Sequence, residues 1–232
     1  MTNPFHGFLL IHKCVGESSY DVIRAIKRCI PEKKIGHAGT LDPFAEGLLI
    51  VAVGKPYTKQ ISTFQNMTKT YTFTISLGQK TDTLDSTGTV IETAEIPTIT
   101  NTNITNVLNL FLGEQEQIPP QYSAKKINGT PAYKLARQGK DIELKPQKIH
   151  ISSLKLNDLS QTDKNCFINL TATVSKGTYI RTLSSDIADK LGTVGHTITL
   201  NRTSIGAFDT TEALVSSDIS LDTIQSKIKT NL

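Results

Sequence analysis

The run Leu48-Leu49-Ile50-Val51-Ala52-Val53 is apolar without a break, and it constrains the fold more than any other feature of the chain. A strand with one wet face alternates, whereas a strand that is apolar at every position is covered on both faces. The chain must therefore place structure on both sides of at least one strand. The run is also far short of the ~18 residues of a membrane-spanning helix, and no other apolar run reaches that length.

Other strands alternate. Tyr71, Phe73, Ile75 and Leu77 share one face while Thr70, Thr72, Thr74 and Ser76 share the other, which predicts a half-buried strand over 70–77. Ile168, Leu170, Ala172 and Val174 predict another over 166–174, and shorter strands are expected at 8–11 and 149–154. Helices interrupt them irregularly. Ser18 lies three residues before Asp21 at a capping-box spacing, Val22, Ile26, Cys29 and Ile30 fall on one face, and Pro31 stops the run. A helix is expected over 103–113, with Asn103 as cap and Gly113 as stop. A shorter one is bracketed by Thr130-Pro131 and Gly139, and one over 182–191 carries Leu183, Ile187 and Leu191 before Gly192. This is not the regular strand–helix alternation of a doubly wound sheet. The pattern predicts an α+β fold with a mixed, largely antiparallel sheet and flanking helices. With no Pro/Gly/Ser-rich linker, residues 1–232 read as a single domain.

Charge is placed unevenly. The net charge of the 232 residues is +4, yet residues 121–148 hold seven Lys/Arg against two Asp/Glu. A block more positive than the whole chain reads either as a polyanion contact or as a solvated basic face. Hydrophobic residues at 38% argue against disorder. Three scattered cysteines, Cys14, Cys29 and Cys166, form neither a disulfide framework nor a zinc site. The N-terminus lacks the basic segment and long apolar run of a signal peptide, so a reduced cytoplasmic setting is expected.

No G-x-G-x-x-G or G-x-x-x-x-G-K-[ST] occurs, so a nucleotide cofactor has no support, and no H-E-x-x-H suggests a metal. Chemistry concentrates in the loop Gly36-His37-Ala38-Gly39-Thr40-Leu41-Asp42-Pro43-Phe44-Ala45-Glu46-Gly47, directly before the most apolar strand. Asp42 reads either as a catalytic carboxylate or as the turn-forming Asp of an Asp-Pro pair. His37 reads as a catalyst or as a loop histidine. Arg181 falls at the start of a helix, where the macrodipole disfavours a cation by ~0.3–1 kcal/mol. That position suggests a carboxylate partner, although an Arg with no task reads the same way. Tyr71 is a core tyrosine or a ring that stacks on a base.

At Gly36–Gly54 the chain resembles the bacterial tRNA pseudouridine synthase B (TruB) family. Further segments follow in the family's order: 69–71, 77–85, 117–126, 129–139, 175–182, 200–203 and 206–208. The resemblance implies a pseudouridine synthase-like fold and a cofactor-free isomerase. Its substrate would be the T-loop uridine of tRNA, uridine 55, flipped out for reaction. It gives Asp42 as nucleophile, Arg181 as its partner and Tyr71 as the ring stacked on uracil. His37, Tyr179 and Leu200 match substrate-pocket positions, and Lys13 and Lys69 match basic positions near the site. The 121–148 stretch matches an RNA-gripping insert, with Lys125, Lys126 and Arg137 on the RNA backbone. The T-arm of tRNA is the expected partner, and a monomer is expected. A tRNA-folding protein with secondary or lost catalysis is the alternative. Some positions depart from the family: Cys14 stands for a common Pro, Val174 for a Cys and Asn201 for an Arg. With 232 residues, no C-terminal PUA domain is expected.

Overall fold

The computed structural model describes residues 4–127, 129–139, 142–162 and 164–232. Its first elements are β1 (Gly7–Lys13), α1 (Ser19–Cys29), β2 (Ile35–His37), β3 (Glu46–Val53), α2 (Lys55–Thr58) and α3 (Ile61–Asn66). Next come β4 (Lys69–Leu77), β5 (Gln79–Thr81), β6 (Val90–Thr93), α4 (Asn101–Asn109), β7 (Gly113–Gln117), β8 (Lys126–Ile127), β9 (Thr130–Pro131) and α5 (Ala132–Ala136). The remainder are β10 (Gln147–Gln161), β11 (Cys166–Val174), α6 (Ile180–Lys190), β12 (Gly195–Ile205), β13 (Phe208–Asp209), β14 (Leu214–Val215) and α7 (Leu221–Lys227). The chain divides into two compact units. One comprises residues up to Tyr71 with Leu200–Leu232, the other Thr72–Thr199. Both boundaries fall inside strands, β4 and β12, rather than in linkers.

In the first unit β3 pairs antiparallel with β1 and β2 and parallel with β12, and β1 pairs parallel with β14. The unbroken apolar run of β3 is explained by two cores. Leu49, Val51 and Val53 pack with Val22, Ile23 and Ile26 of α1 and Ile224 of α7. Leu48, Ile50 and Ala52 pack on the other side with Phe8, Phe64 and Ile205. Phe8 meets Tyr57 and Phe64 edge-on, with ring centroids 5.1 and 5.0 Å away, a geometry worth about 0.5–1.5 kcal/mol per pair beyond burial. The capping box of α1 forms as its spacing requires: Asp21 N–H donates to Ser18 Oγ, and Ser18 N–H to the Asp21 carboxylate.

In the second unit β10 pairs antiparallel with both β7 and β11, and β4 lies beside β11. The sheet pairings are thus mixed and mostly antiparallel, as the sequence predicts. The buried residues of β11 alternate from Cys166 to Val174. The helix expected over 103–113 begins and ends earlier. Thr100 is its cap, accepting from Asn103 N–H, and Asn103 sits in the first turn. Both residue types cap helices, and the true start lies three residues before the expected one. Gly113, at φ +87°, opens β7 instead of closing the helix. The eleven-residue strand β12 lacks a clean alternation, so residue order alone does not predict it.

Candidate active site

The loop carrying Asp42 is held from several directions within the first unit. Leu41 N–H donates to Ser19 Oγ at 2.9 Å, and Ser19 Oγ donates back to Leu41 O at 3.2 Å, tying the loop to the first turn of α1. Gly16 N–H reaches Pro43 O at 2.8 Å, and Ala45 N–H closes a turn on Asp42 O at 3.1 Å. Asp-Pro therefore does form a turn, and the half-buried Asp42 side chain is presented at its start. Gly47 sits at φ +108°, and a Cβ there would lie 2.4 Å from Arg202 O and from Asn201 Oδ1. Only glycine lets β3 and β12 approach so closely beside the loop.

Lys13 is fully buried, and its ammonium donates to Cys14 O at 2.8 Å and Glu17 O at 2.7 Å. Burial lowers its pKa; the negative charges of Glu17 and Asp42 oppose this, and the positive charge of Arg202 adds to it. Lys13 and Asp42 thus lie within electrostatic reach of each other. The turn beside Lys13 uses a group that a proline at position 14 would lack. Cys14 N–H donates to Glu17 Oε1 at 2.8 Å and to Ser216 Oγ at 3.0 Å, and Ser216 Oγ also bonds Glu17 Oε1. Lys69 is buried as well and caps the end of α3, with Nζ 2.6 Å from Gln65 O and from Met67 O. Both lysines therefore satisfy backbone carbonyls. His37, on β2, has its pKa lowered by burial first and by the charge of Arg202 next. Tyr71 and Leu200 are buried members of the same unit.

The second unit holds Arg181 and Tyr179 at the start of α6. Arg181 is 3% exposed, donating from Nη1 to Thr83 O at 2.6 Å and from Nη2 to Tyr122 O at 2.8 Å. Its Nη1 also lies 3.4 Å from Asp85 Oδ2. The other oxygen of Asp85 accepts from Thr83 Oγ1, Thr87 N–H and Thr87 Oγ1 at 2.8, 2.9 and 2.6 Å. A carboxylate within its own unit, Asp85, thus lies beside Arg181 and helps to offset its unfavourable helix position, and nothing in the local sequence marks Asp85 out. Leu84, between Thr83 and Asp85, adopts φ +60°, a left-handed conformation that costs a non-glycine residue roughly 1–2 kcal/mol. Tyr179 is fixed by Gln117: its N–H donates to Oε1 at 2.8 Å, and its C=O accepts from Nε2 at 3.1 Å. Sequence reasoning gives Gln117 no role of its own, because one amide matching both backbone groups of a residue 62 positions away leaves no local signal.

The basic stretch folds around its own small core. Ala132, Ile142 and Leu144 pack with Ile127, Leu135 and Ala136. Lys126, Lys134, Arg137, Lys145 and Lys148 are exposed around it, while Lys125 donates to Gln147 Oε1 at 3.1 Å. Asn128, Lys140 and Asp141 of this stretch lie outside the described residues. Among the described residues no cluster suited to a metal ion is found, and no helix is long and apolar enough to cross a membrane.

Comparison with known proteins defines the class first. The fold is similar to that of a chain in a crystal structure of a Cbf5–Nop10–Gar1 complex, with a TM-score of 0.71 at 23% identity over 94% of this chain and 54% of that one. A structure of an H/ACA RNP bound to a substrate RNA containing 2′-deoxyuridine gives a TM-score of 0.67 at 21% identity, over 94% and 53%. The fold is that of the pseudouridine synthases. Residues 27–180 match the model of the TruB family pseudouridylate synthase N-terminal domain, and the chain belongs to that family. It is 39% identical over 212 residues to tRNA pseudouridine synthase B of Geotalea uraniireducens, covering 91% of this chain and 67% of that protein. It is 46% identical over 209 residues to the same enzyme of Rickettsia felis (89% and 60%) and 41% identical over 224 residues to that of Bordetella avium (96% and 88%). The chain thus spans about two thirds of the length of several of these relatives.

Proposed function

We propose that this protein is a tRNA pseudouridine synthase that isomerises the T-loop uridine, uridine 55, with Asp42 as its nucleophile. The observation that carries the reading is the Gly36–Gly54 segment, which lies within the family match and presents Asp42 on a loop pinned by Ser19, Gly16 and Ala45. A carboxylate is a suitable nucleophile for covalent catalysis at a sugar or pyrimidine carbon. The Asp42 carboxylate bonds to a carbon of the nucleoside and that bond is later broken to free the carboxylate; in between the N1–C1′ bond breaks, the uracil rotates while bound, and C5 bonds to C1′. C5 loses its proton and N1 ends with one, so atoms balance without an outside acceptor, oxidant or reductant. The reaction as such calls for no cofactor.

In this reading Arg181 pairs with Asp42 and keeps it ionised in a partly dehydrated pocket. Tyr71 stacks on the flipped base, with Leu200, Tyr179 and His37 shaping the pocket. Lys13 contributes positive charge beside Asp42. The exposed cations around 121–148 hold the phosphates of the T-arm. The test is incubation of an unmodified tRNA transcript with the protein, followed by mapping of pseudouridine. Conversion at uridine 55 alone supports the reading. Conversion elsewhere, or none under conditions where the RNA binds, overturns it.

A further inference from the structure

Arg202 has no part in the reading above, yet it is among the largest fully buried side chains, at 1% exposure. Burying a guanidinium is costly unless its donors meet defined acceptors. Here they do, and both acceptors flank Asp42. Nε donates to Leu48 O at 2.8 Å, just after the loop, and Nη2 to Gly39 O at 3.1 Å, just before Asp42. The backbone of Arg202 is in parallel register with Gly47, where the missing Cβ permits the approach. The same side chain thus ties Gly39, before Asp42, and Leu48, in β3 just after the loop, to β12.

We infer that Arg202 is a positioning residue for the reaction, a fork that clamps the Asp42 loop at Gly39 and Leu48 and so fixes where the carboxylate points. Its field also reaches the neighbours of Asp42, since its charge lowers the pKa of both Lys13 and His37. A lysine cannot reproduce the clamp: an ammonium lacks the planar, divergent Nε and Nη donors that reach two carbonyls at once. Small displacements of a catalytic group carry large rate penalties, on the order of 100-fold for about 1 Å.

This inference rests on the proposed isomerase reading, and the experiment separates the two. Single-turnover rate, Kd for a T stem-loop RNA and Tm are measured for the wild type, Arg202→Lys, Arg202→Met and Ile205→Ala. Ile205 is a buried neighbour on β12 whose purely apolar side chain forms no hydrogen bond to the loop, so its truncation reports lost packing alone. Both Arg202 variants are expected to lose roughly 100-fold in rate with Kd within about threefold of wild type. Ile205→Ala is expected to lose Tm but keep its rate within about threefold of wild type. A near-normal rate in Arg202→Lys, a parallel loss of rate and affinity, or an equal rate loss in Ile205→Ala overturns the inference. An inactive wild type overturns the isomerase reading alone. In that case, or if the Arg202 variants do not fold, NMR of the wild type decides. The Arg202 Nε–H cross-peak should persist at a pH where that of exposed Arg24 is lost to solvent exchange, and its loss together with that of Arg24 contradicts the clamp.

Discussion

A single side chain in this protein is read correctly only when its partners are known. Asp186 on α6 shows this for pH dependence. Burial, then the charge of Asp189, raises its pKa to about 6, against the opposing charges of Lys80 and Lys190. A carboxyl raised in the folded state binds more protons there than in the unfolded chain between pH 3.8 and about 6. Stability therefore falls as pH rises through that window. Because the group is only half-buried, solvent screening reduces the effect to about 1–2 kcal/mol. Asp186→Asn is expected to raise unfolding free energy by that amount at pH 7.5 and to leave it unchanged below pH 3.8; urea titrations at the two pH values check both. Asp42 and Arg181 stand out as candidates by their loop and helix positions, with a plain turn or an idle cation as the local alternative, and only the family resemblance gives them roles. Asp85 does not stand out, because its value depends on three donors from Thr83 and Thr87 and on a guanidinium that only folding assembles.

Elements are legible where one periodicity dominates. The alternation of β4 and β11 and the two-sided burial of β3 follow directly from residue order, and the Ser18–Asp21 box fixes the start of α1. Elements whose identity comes from pairing are not. β12 changes its burial pattern along its length, and β7 is the charged sequence Gly-Glu-Gln-Glu-Gln, recruited as a strand by β10. The end of β7 then supplies Gln117, which joins it to Tyr179, the residue that caps α6. Gln117→Glu keeps the shape but turns the donor facing Tyr179 O into a second acceptor. It is expected to cost about 1–3 kcal/mol of stability at pH 7.5 and to raise KM for a T stem-loop. The loss should shrink below the carboxyl pKa, where a protonated Glu donates again. Equal stability of the two proteins at pH 7.5 in urea denaturation contradicts the bridge.

At the scale of the molecule, the sequence shows an uneven charge distribution, and the fold shows how its basic stretch is built. The described part of the 121–148 stretch is built on its own apolar cluster, so Lys126, Lys134, Arg137, Lys145 and Lys148 are presented by ordered structure. Replacing Lys125, Lys126 and Arg137 by Ala is expected to weaken RNA binding and flatten its salt dependence. The log–log slope should drop by about 0.7–0.9 for each phosphate that the variant no longer neutralises, with Lys125 contributing least because it already serves Gln147. An unchanged slope across a salt titration contradicts an RNA-gripping role. The central proposal, that Asp42 is the nucleophile toward a T-loop uridine, is tested most directly by tritium release from a T stem-loop carrying C5-labelled uridine 55. The wild type should release tritium, and Asp42→Asn, which keeps shape but loses charge, should bind the RNA normally and release it at least about 1,000-fold more slowly. Release by Asp42→Asn within tenfold of wild type would contradict the claim.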